Sequence, residues 1–168
     1  MTLYMKQKIV AFKDRFYVKD ERGRDRYYIE EELLSLTKKL HIYDMDDNRL
    51  AIVQKKMISF LPKYIVTVDG EEVTEIVKEI TFFKPSYKVK GPDWTVDGDI
   101  WDYDYKIRKG RRTVAEISKA ILSFRDSYKI EIEDGVNPVL VMAVVLAIDC
   151  VLDAESEDAA RSAGMLLR

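Results

Sequence analysis

A pattern that recurs six times along the chain limits what it can fold into. Each copy has a large apolar residue, three mostly polar residues and a second large apolar residue. A β-branched aliphatic residue follows two positions later, and another large apolar residue precedes the pair by seven positions. Agreement at four positions in every copy indicates one repeated structural unit. The six pairs are Phe12/Phe16, Leu36/Leu40, Phe60/Tyr64, Phe83/Tyr87, Trp101/Tyr105 and Phe124/Tyr128.

Turn-forming residues occur both inside the pairs and between the copies. Pro and Asp inside the pairs favour a chain reversal, as in Leu61-Pro62-Lys63 and Lys84-Pro85-Ser86. The segments between these turns are rich in Val, Ile, Tyr, Phe and Thr, which favour strands. We therefore predict six hairpins, or about twelve antiparallel strands. The turn signals between copies are Arg22-Gly23, Asp46-Asp47-Asn48, Asp69-Gly70, Gly91-Pro92, Lys109-Gly110 and Asp134-Gly135.

The spacing inside each pair has an alternative interpretation. Residues four apart also lie on one face of an α-helix. Pro62 and Pro85 argue against a helix, because each lies between the two members of a pair and would interrupt it. The β-branched residue after each pair likewise favours extended chain.

The chain changes character at Asn137-Pro138, which is a typical helix start. The following run from Val139 to Leu152 is apolar except for Asp149, so the helix must be buried in protein or in lipid. The run is shorter than the about twenty residues that span a bilayer, which favours burial in protein. We expect Asp149 to lie where the barrel opens to water or supplies a hydrogen-bond donor.

Together these patterns predict one mainly β domain over 1–153. A barrel of about twelve strands leaves a lumen, and an apolar helix can fill it. The predicted fold is an antiparallel barrel of six repeated hairpins around a central C-terminal helix at about 138–152. Residues 154–168 are predicted to form a polar tail, either a frayed helix or partly disordered.

The amino-acid composition excludes or disfavours several kinds of function. The 28 basic and 30 acidic residues nearly balance, with a net charge of −2, which disfavours nucleic acid as a partner. Cys150 is the single cysteine, so an intramolecular disulfide and a multi-cysteine zinc site are excluded. Residues 1–10 lack the apolar run of a secretory signal, and we expect a cytoplasmic protein.

Several segments resemble the LURP-one-related (LOR) family, in particular its short bacterial YxjI-like members. They are Ser59 to Tyr64, Phe82 to Tyr87, Trp94 with Gly98 to Asp102, and Leu146 to Cys150. This family belongs to the Tubby C-terminal-like and phospholipid-scramblase superfamily. The resemblance covers about residues 3–153 and implies a twelve-stranded barrel around a C-terminal helix. The wider superfamily includes phosphoinositide-binding and lipid-associated proteins, but no Tubby lipid-contacting residue can be matched to this chain.

Two groups of cations are candidate anion-binding sites. Arg108, Lys109, Arg111 and Arg112 surround a glycine turn, where they can neutralise phosphate or form only a solvated hairpin tip. A second group belongs to neighbouring repeats and could converge on one rim of the barrel, which the sequence alone does not establish. Its members are Lys55, Lys56, Lys63 and Lys84, with Lys88 beside them.

No pattern of catalytic or cofactor-binding residues stands out. The aspartates at 97, 99, 102 and 104 could offer oxygen ligands to calcium, but their spacing does not fit an EF-hand loop. His41 has no Ser or Cys beside it in sequence, and Cys150 lies in the apolar helix. We therefore predict a protein that is not an enzyme and has no metal or cofactor.

The leading hypothesis is a cytoplasmic barrel that binds an anionic ligand, such as a phospholipid headgroup at a membrane surface, through basic side chains. The alternative is a protein-interaction or regulatory scaffold with no lipid ligand.

Overall fold

The computed structural model describes residues 1–6, 15–79, 86–120 and 127–166. Within these ranges the chain forms twelve β-strands followed by one α-helix. The strands are β1 (Thr2–Lys6), β2 (Phe16–Asp20), β3 (Asp25–Glu31), β4 (Lys39–Asp44), β5 (Arg49–Lys55), β6 (Lys63–Val68), β7 (Glu71–Glu79), β8 (Ser86–Val89), β9 (Trp94–Asp99), β10 (Asp104–Lys109), β11 (Arg112–Lys119) and β12 (Ser127–Ile132). The helix is α1 (Pro138–Leu166).

The strands form a closed antiparallel barrel in which each strand pairs with its neighbours in sequence. The barrel closes through β1 and β12, where Leu3 lies opposite Ile130 and Met5 opposite Tyr128. This topology confirms the predicted twelve-stranded barrel. Closure also leaves no unpaired edge strand that could template aggregation.

Because successive strands run in opposite directions, the connections alternate between the two ends of the barrel. We call one end the hairpin end; it holds the short turns β2–β3, β4–β5, β6–β7, β8–β9 and β10–β11, and the entry to α1. The opposite end, called the loop end, holds the β1–β2, β3–β4, β5–β6, β7–β8, β9–β10 and β11–β12 connections.

The repeat supplies the inner wall of the barrel. The second member of every pair is buried, as is the β-branched residue two positions later and the residue seven positions before each pair. These side chains point inward at alternate positions of the strands and surround α1. The buried residues are Phe16, Leu40, Tyr64, Tyr87, Tyr105 and Tyr128; Val18, Ile42, Val66, Val89, Ile107 and Ile130; and Met5, Ile29, Val53, Ile76, Trp94 and Ile117.

In the second and third copies, the three residues inside the pair do not form the tight hairpin turn that we expected. The β5–β6 connection spans 56–62, and Phe60 stays in this loop, while Lys63 already begins β6. In the fifth copy, Asp102 and Tyr103 do lie in a tight turn, over 100–103 between β9 and β10. The second set also forms tight turns, as at Asp69-Gly70, where both residues have positive φ. Phe12, Phe83 and Phe124, with the turn residues beside them, lie outside the described residues.

Helix α1 enters at the hairpin end and runs through the lumen to the loop end. The Asn137 side-chain oxygen accepts hydrogen bonds from the backbone N–H groups of Val139 and Leu140, at 2.9 and 3.4 Å, which confirms the predicted cap. Residues 141–152 are buried. The helix lies closest to β5, where the small side chain of Ala51 allows a close approach.

The helix is longer than the predicted 138–152, because it continues to Leu166. Beyond Leu152 the side chains become half-buried and then, from Ser156 onward, those that are described are exposed. The physical reason is local: this segment is rich in Ala and Glu, which favour helix, and the buried part supplies a preformed turn to extend. Part of the predicted polar tail is therefore helical.

Candidate functional site at the loop end

The two groups of cations lie at opposite ends of the barrel. Arg108 to Arg112 form the β10–β11 turn at the hairpin end. Lys55 ends β5 and Lys63 begins β6, which places both at the loop end, with Lys56 between them in sequence. Lys84 lies outside the described residues. A flat surface can therefore contact only one of the two groups at a time.

At the hairpin end, the arginines are partly neutralised by nearby carboxylates. The Arg112 guanidinium lies 2.7 Å from a Glu133 carboxylate oxygen, and Arg108 lies 3.4 Å from Asp97. Lys109 and Arg111 are exposed and make no ion pair to any described residue. This turn remains accessible to an anion, chiefly through Lys109 and Arg111.

At the loop end, Lys56 and Lys63 lie close together, with Lys55 next to Lys56 in sequence. The Lys56 backbone N–H donates to the Lys63 carbonyl at 2.9 Å, which joins the start and end of the β5–β6 loop. Both ammonium groups reach Glu75, at 4.0 and 3.5 Å. A hydrogen bond from Lys90 and the charge of Lys63 lower the pKa of the Glu75 carboxyl. In the described part of the chain, Lys55 has no ion-pair partner.

The loop end also exposes large apolar side chains, which the sequence analysis did not identify. Leu34 is 97% exposed and Phe60 is 96% exposed. The group lies on the β3–β4, β5–β6 and β9–β10 connections and comprises Leu33, Leu34, Leu36, Met57, Ile58, Phe60 and Trp101. Large exposed apolar side chains grouped at one end of a molecule indicate an interaction site more often than scattered single residues do.

Two sequence signals could have located this surface. Leu33-Leu34 and Met57-Ile58 are apolar doublets, which break the alternation that a half-buried strand requires. Strand parity is the second signal, since connections that follow odd-numbered strands all fall at one end of an antiparallel barrel. Both signals were available before the structure, but they require the strand count to be correct.

Inside the barrel, Asp149 lies among tyrosines near the loop end. Its side chain is 2% exposed, and one carboxyl oxygen accepts a 2.6 Å hydrogen bond from the Tyr128 hydroxyl. This contact confirms the expected donor. Burial raises the pKa of the Asp149 carboxyl well above its usual value, and Asp153 adds to the effect, while the Tyr128 hydrogen bond opposes it. The neighbouring Cys150 thiol is also buried, which raises its pKa.

Three of the four aspartates considered as calcium ligands have other partners, as does His41. Asp97 pairs with Arg108 and Asp102 with Lys119, while the Asp99 carboxylate accepts the backbone N–H groups of the residues that follow it. His41 contacts Glu32 at 2.8 Å. Across the described ranges, no group of three or more His, Cys, Asp or Glu residues is arranged to hold a metal ion.

No helix within the described residues has the length and hydropathy needed to cross a bilayer.

Comparison with known proteins identifies the family. The family model described as LURP-one-related matches residues 1–149. The chain is 31% identical over 156 residues to a Bacillus subtilis (strain 168) protein described as "Uncharacterized protein YxjI". That match covers 93% of this chain and 96% of the relative. Because the family model matches most of the chain, the protein belongs to the LURP-one-related family.

Proposed function

We propose that the barrel is a non-enzymatic cytoplasmic protein that binds reversibly to membrane surfaces containing anionic phospholipids, with its loop end facing the lipid. The observation that carries this proposal is the coincidence of exposed apolar side chains with the lysines of the β5–β6 loop. Phe60 and Ile58 lie between Lys55 and Lys63 on the same connection.

Electrostatics supports this orientation. A lysine near an anionic membrane contributes about 1 kcal/mol to binding, so Lys55, Lys56 and Lys63 together would produce useful attraction. The ion pairs of Lys56 and Lys63 with Glu75 do not prevent this. Surface ion pairs are worth only about 0–1 kcal/mol, so the lysines can exchange Glu75 for a phosphate group.

The proposal has two competitors that the structure makes distinct. The first is anion binding at the hairpin end through Arg108, Lys109, Arg111 and Arg112. The second is a protein-interaction or regulatory scaffold with no lipid ligand. The hairpin end lacks a comparable group of large exposed apolar residues among the described ranges, with Met1, Met45 and Val73 as its three members.

Co-sedimentation with neutral and anionic vesicles across a salt series tests the proposal. The wild-type chain is expected to sediment with anionic vesicles only, and less so as salt rises. Replacing Lys55, Lys56 and Lys63 by Glu should lower the bound fraction at least about fivefold. The matched control replaces Arg108, Lys109, Arg111 and Arg112 by Glu and should change binding much less.

Two other results would each favour one of the competing proposals. Loss of binding in the arginine variant alone would assign the contact to the hairpin end. No binding of the wild-type chain to either vesicle would reject the lipid proposal and favour the scaffold, for which a pull-down is the next experiment. Circular dichroism of both variants checks that the barrel is intact.

A further inference from the structure

We infer that the apolar side chains of the loop end enter the acyl-chain region of the bilayer, so that the barrel stands on the membrane with its axis close to the membrane normal. This inference rests on the proposed function. It adds an apolar contact and an orientation to a proposal that otherwise needs only surface charge.

The positions of the exposed residues around the barrel carry the orientation. The β3–β4 and β5–β6 loops are neighbours, because β4 pairs with β5. The β9–β10 connection lies across the barrel mouth from them: β7 and β8 separate it on one side, and β11, β12, β1 and β2 on the other. Apolar contacts on both sides of the mouth define a plane roughly perpendicular to the barrel axis.

The repeat itself shows that these side chains are not placed for the core. Leu36, Phe60 and Trp101 each occupy the first position of a pair, and all three are exposed. Four residues later, the second member of each pair is buried against α1. In the three copies whose first position is described, a large apolar residue thus stands where folding leaves it exposed, which presents apolar surface to water without a full gain in packing.

The relative positions of the apolar and cationic side chains favour a bilayer as the partner of the loop end. Phe60 and Ile58 are at the tip of the β5–β6 loop, whereas Lys55 and Lys63 are set back at the strand ends. This order matches the layers of an anionic membrane, in which acyl chains lie beneath a negative headgroup region. Separate tips around a mouth also suit a deformable bilayer better than the continuous, well-packed surface typical of protein interfaces.

Helix α1 leaves the barrel at the same end and must be included in the test. The Glu155 carboxylate pairs with the Lys78 ammonium group near the end of β7. From Glu155 to Leu166 the helix extends about 16 Å farther, at about 1.5 Å per residue. A variant in this part of the helix therefore distinguishes loop insertion from helix insertion.

Trp101 is a built-in reporter of insertion. It is 50% exposed at the loop end, while Trp94, the other tryptophan, is buried. In a Trp94→Phe background, anionic vesicles with brominated acyl chains should quench Trp101 fluorescence and shift its emission to shorter wavelength. A second variant, Phe60→Asp, should bind anionic vesicles at least about tenfold more weakly. Because Phe60 is exposed, the thermal stability of the Phe60→Asp variant should match that of the wild-type chain.

The matched control is Met45→Asp, which adds the same charge at an exposed apolar position of the hairpin end. It should bind vesicles as the wild-type chain does. Replacing Leu166 by Asp in the full chain should leave Trp101 quenching intact.

Distinct outcomes overturn this inference and the proposed function. One outcome is that the chain binds anionic vesicles, but brominated lipid does not quench Trp101 and Phe60→Asp binds as well as Met45→Asp. The inference of insertion is then wrong, while the proposed binding to the membrane surface still holds. If Leu166→Asp abolishes quenching while Phe60→Asp does not, the helix inserts instead of the loops. Lipid-independent self-association that Phe60→Asp removes would make the loop end an interface between copies. Absence of any vesicle binding rejects the proposed function as well.

Discussion

Asp149 is the single acidic side chain that the described structure buries almost completely. Ionisation of its carboxyl group carries a desolvation cost, which the hydrogen bond from Tyr128 offsets in part. The other carboxyl oxygen has no hydrogen-bond partner in the described structure. A carboxyl group in this setting keeps its proton to a higher pH in the folded chain than in the unfolded chain.

This difference makes stability depend on pH in a known direction. Below about pH 4, Asp149 is protonated in both states and costs nothing. As pH rises, the unfolded chain loses this proton before the folded chain does, so stability falls by up to about 1.4 kcal/mol per pH unit until the folded-state pKa is reached. We expect Asp149→Asn, which keeps the acceptor for Tyr128, to unfold like the wild-type chain near pH 4 and at higher temperature at pH 7. A stability difference that does not change with pH would contradict this explanation.

At the scale of elements, the repeat was informative because it combines two requirements. Its buried positions are apolar and alternate along the strands, and they form the inner wall of the barrel. Its first position is apolar too, yet Leu36 and Phe60 are exposed, and the spacing does not distinguish this position from the buried ones. The fifth copy also differs: Trp94 pairs with Val89, not with Tyr87, because only six residues separate Tyr87 from Trp94. In the second copy, by contrast, twelve residues separate Phe16 from Ile29, which do pair with each other.

The candidate site was harder to predict than the fold for a related reason. Sequence reasoning identified two cation groups, but their relation in space depends on which end of the barrel each strand pair reaches. Lys55 ends an odd-numbered strand, whereas Arg112 begins one, and this single difference separates them by the full length of the barrel.

Helix α1 consists of two parts with different energetic roles. Residues 141–152 are buried, while the described side chains beyond Ser156 are exposed and add little apolar burial. We expect a chain ending at Ser156 to unfold within about 1 kcal/mol of the full chain, because helical residues in solvent are only marginally stable. Urea denaturation followed by circular dichroism measures this. A larger loss would show that the exposed extension contacts the barrel.

At the scale of the whole molecule, the sheet and the helix form one core. The inward residues of all twelve strands belong to the same buried cluster as the apolar part of α1, which fills the barrel interior. Val145→Asp, at a position with no exposure, should destabilise the fold by more than about 4 kcal/mol and abolish strand and helix signals together. Ala160→Asp, on the exposed part of the same helix, is the matched control and should leave the unfolding curve unchanged. Retention of a stable barrel in the Val145 variant would show that the sheet does not need its helix.

A helix that follows all the strands and yet fills the space between them imposes an order on biosynthesis. While the ribosome is still synthesising α1, the strands that precede it have no helix to pack against. The barrel cannot close before β12 has been synthesised, because β1 pairs with β12. Pairing residues so far apart in sequence is slow. The nascent chain therefore carries exposed strand edges for most of its synthesis, and it should depend on holding chaperones until its last apolar segment has emerged.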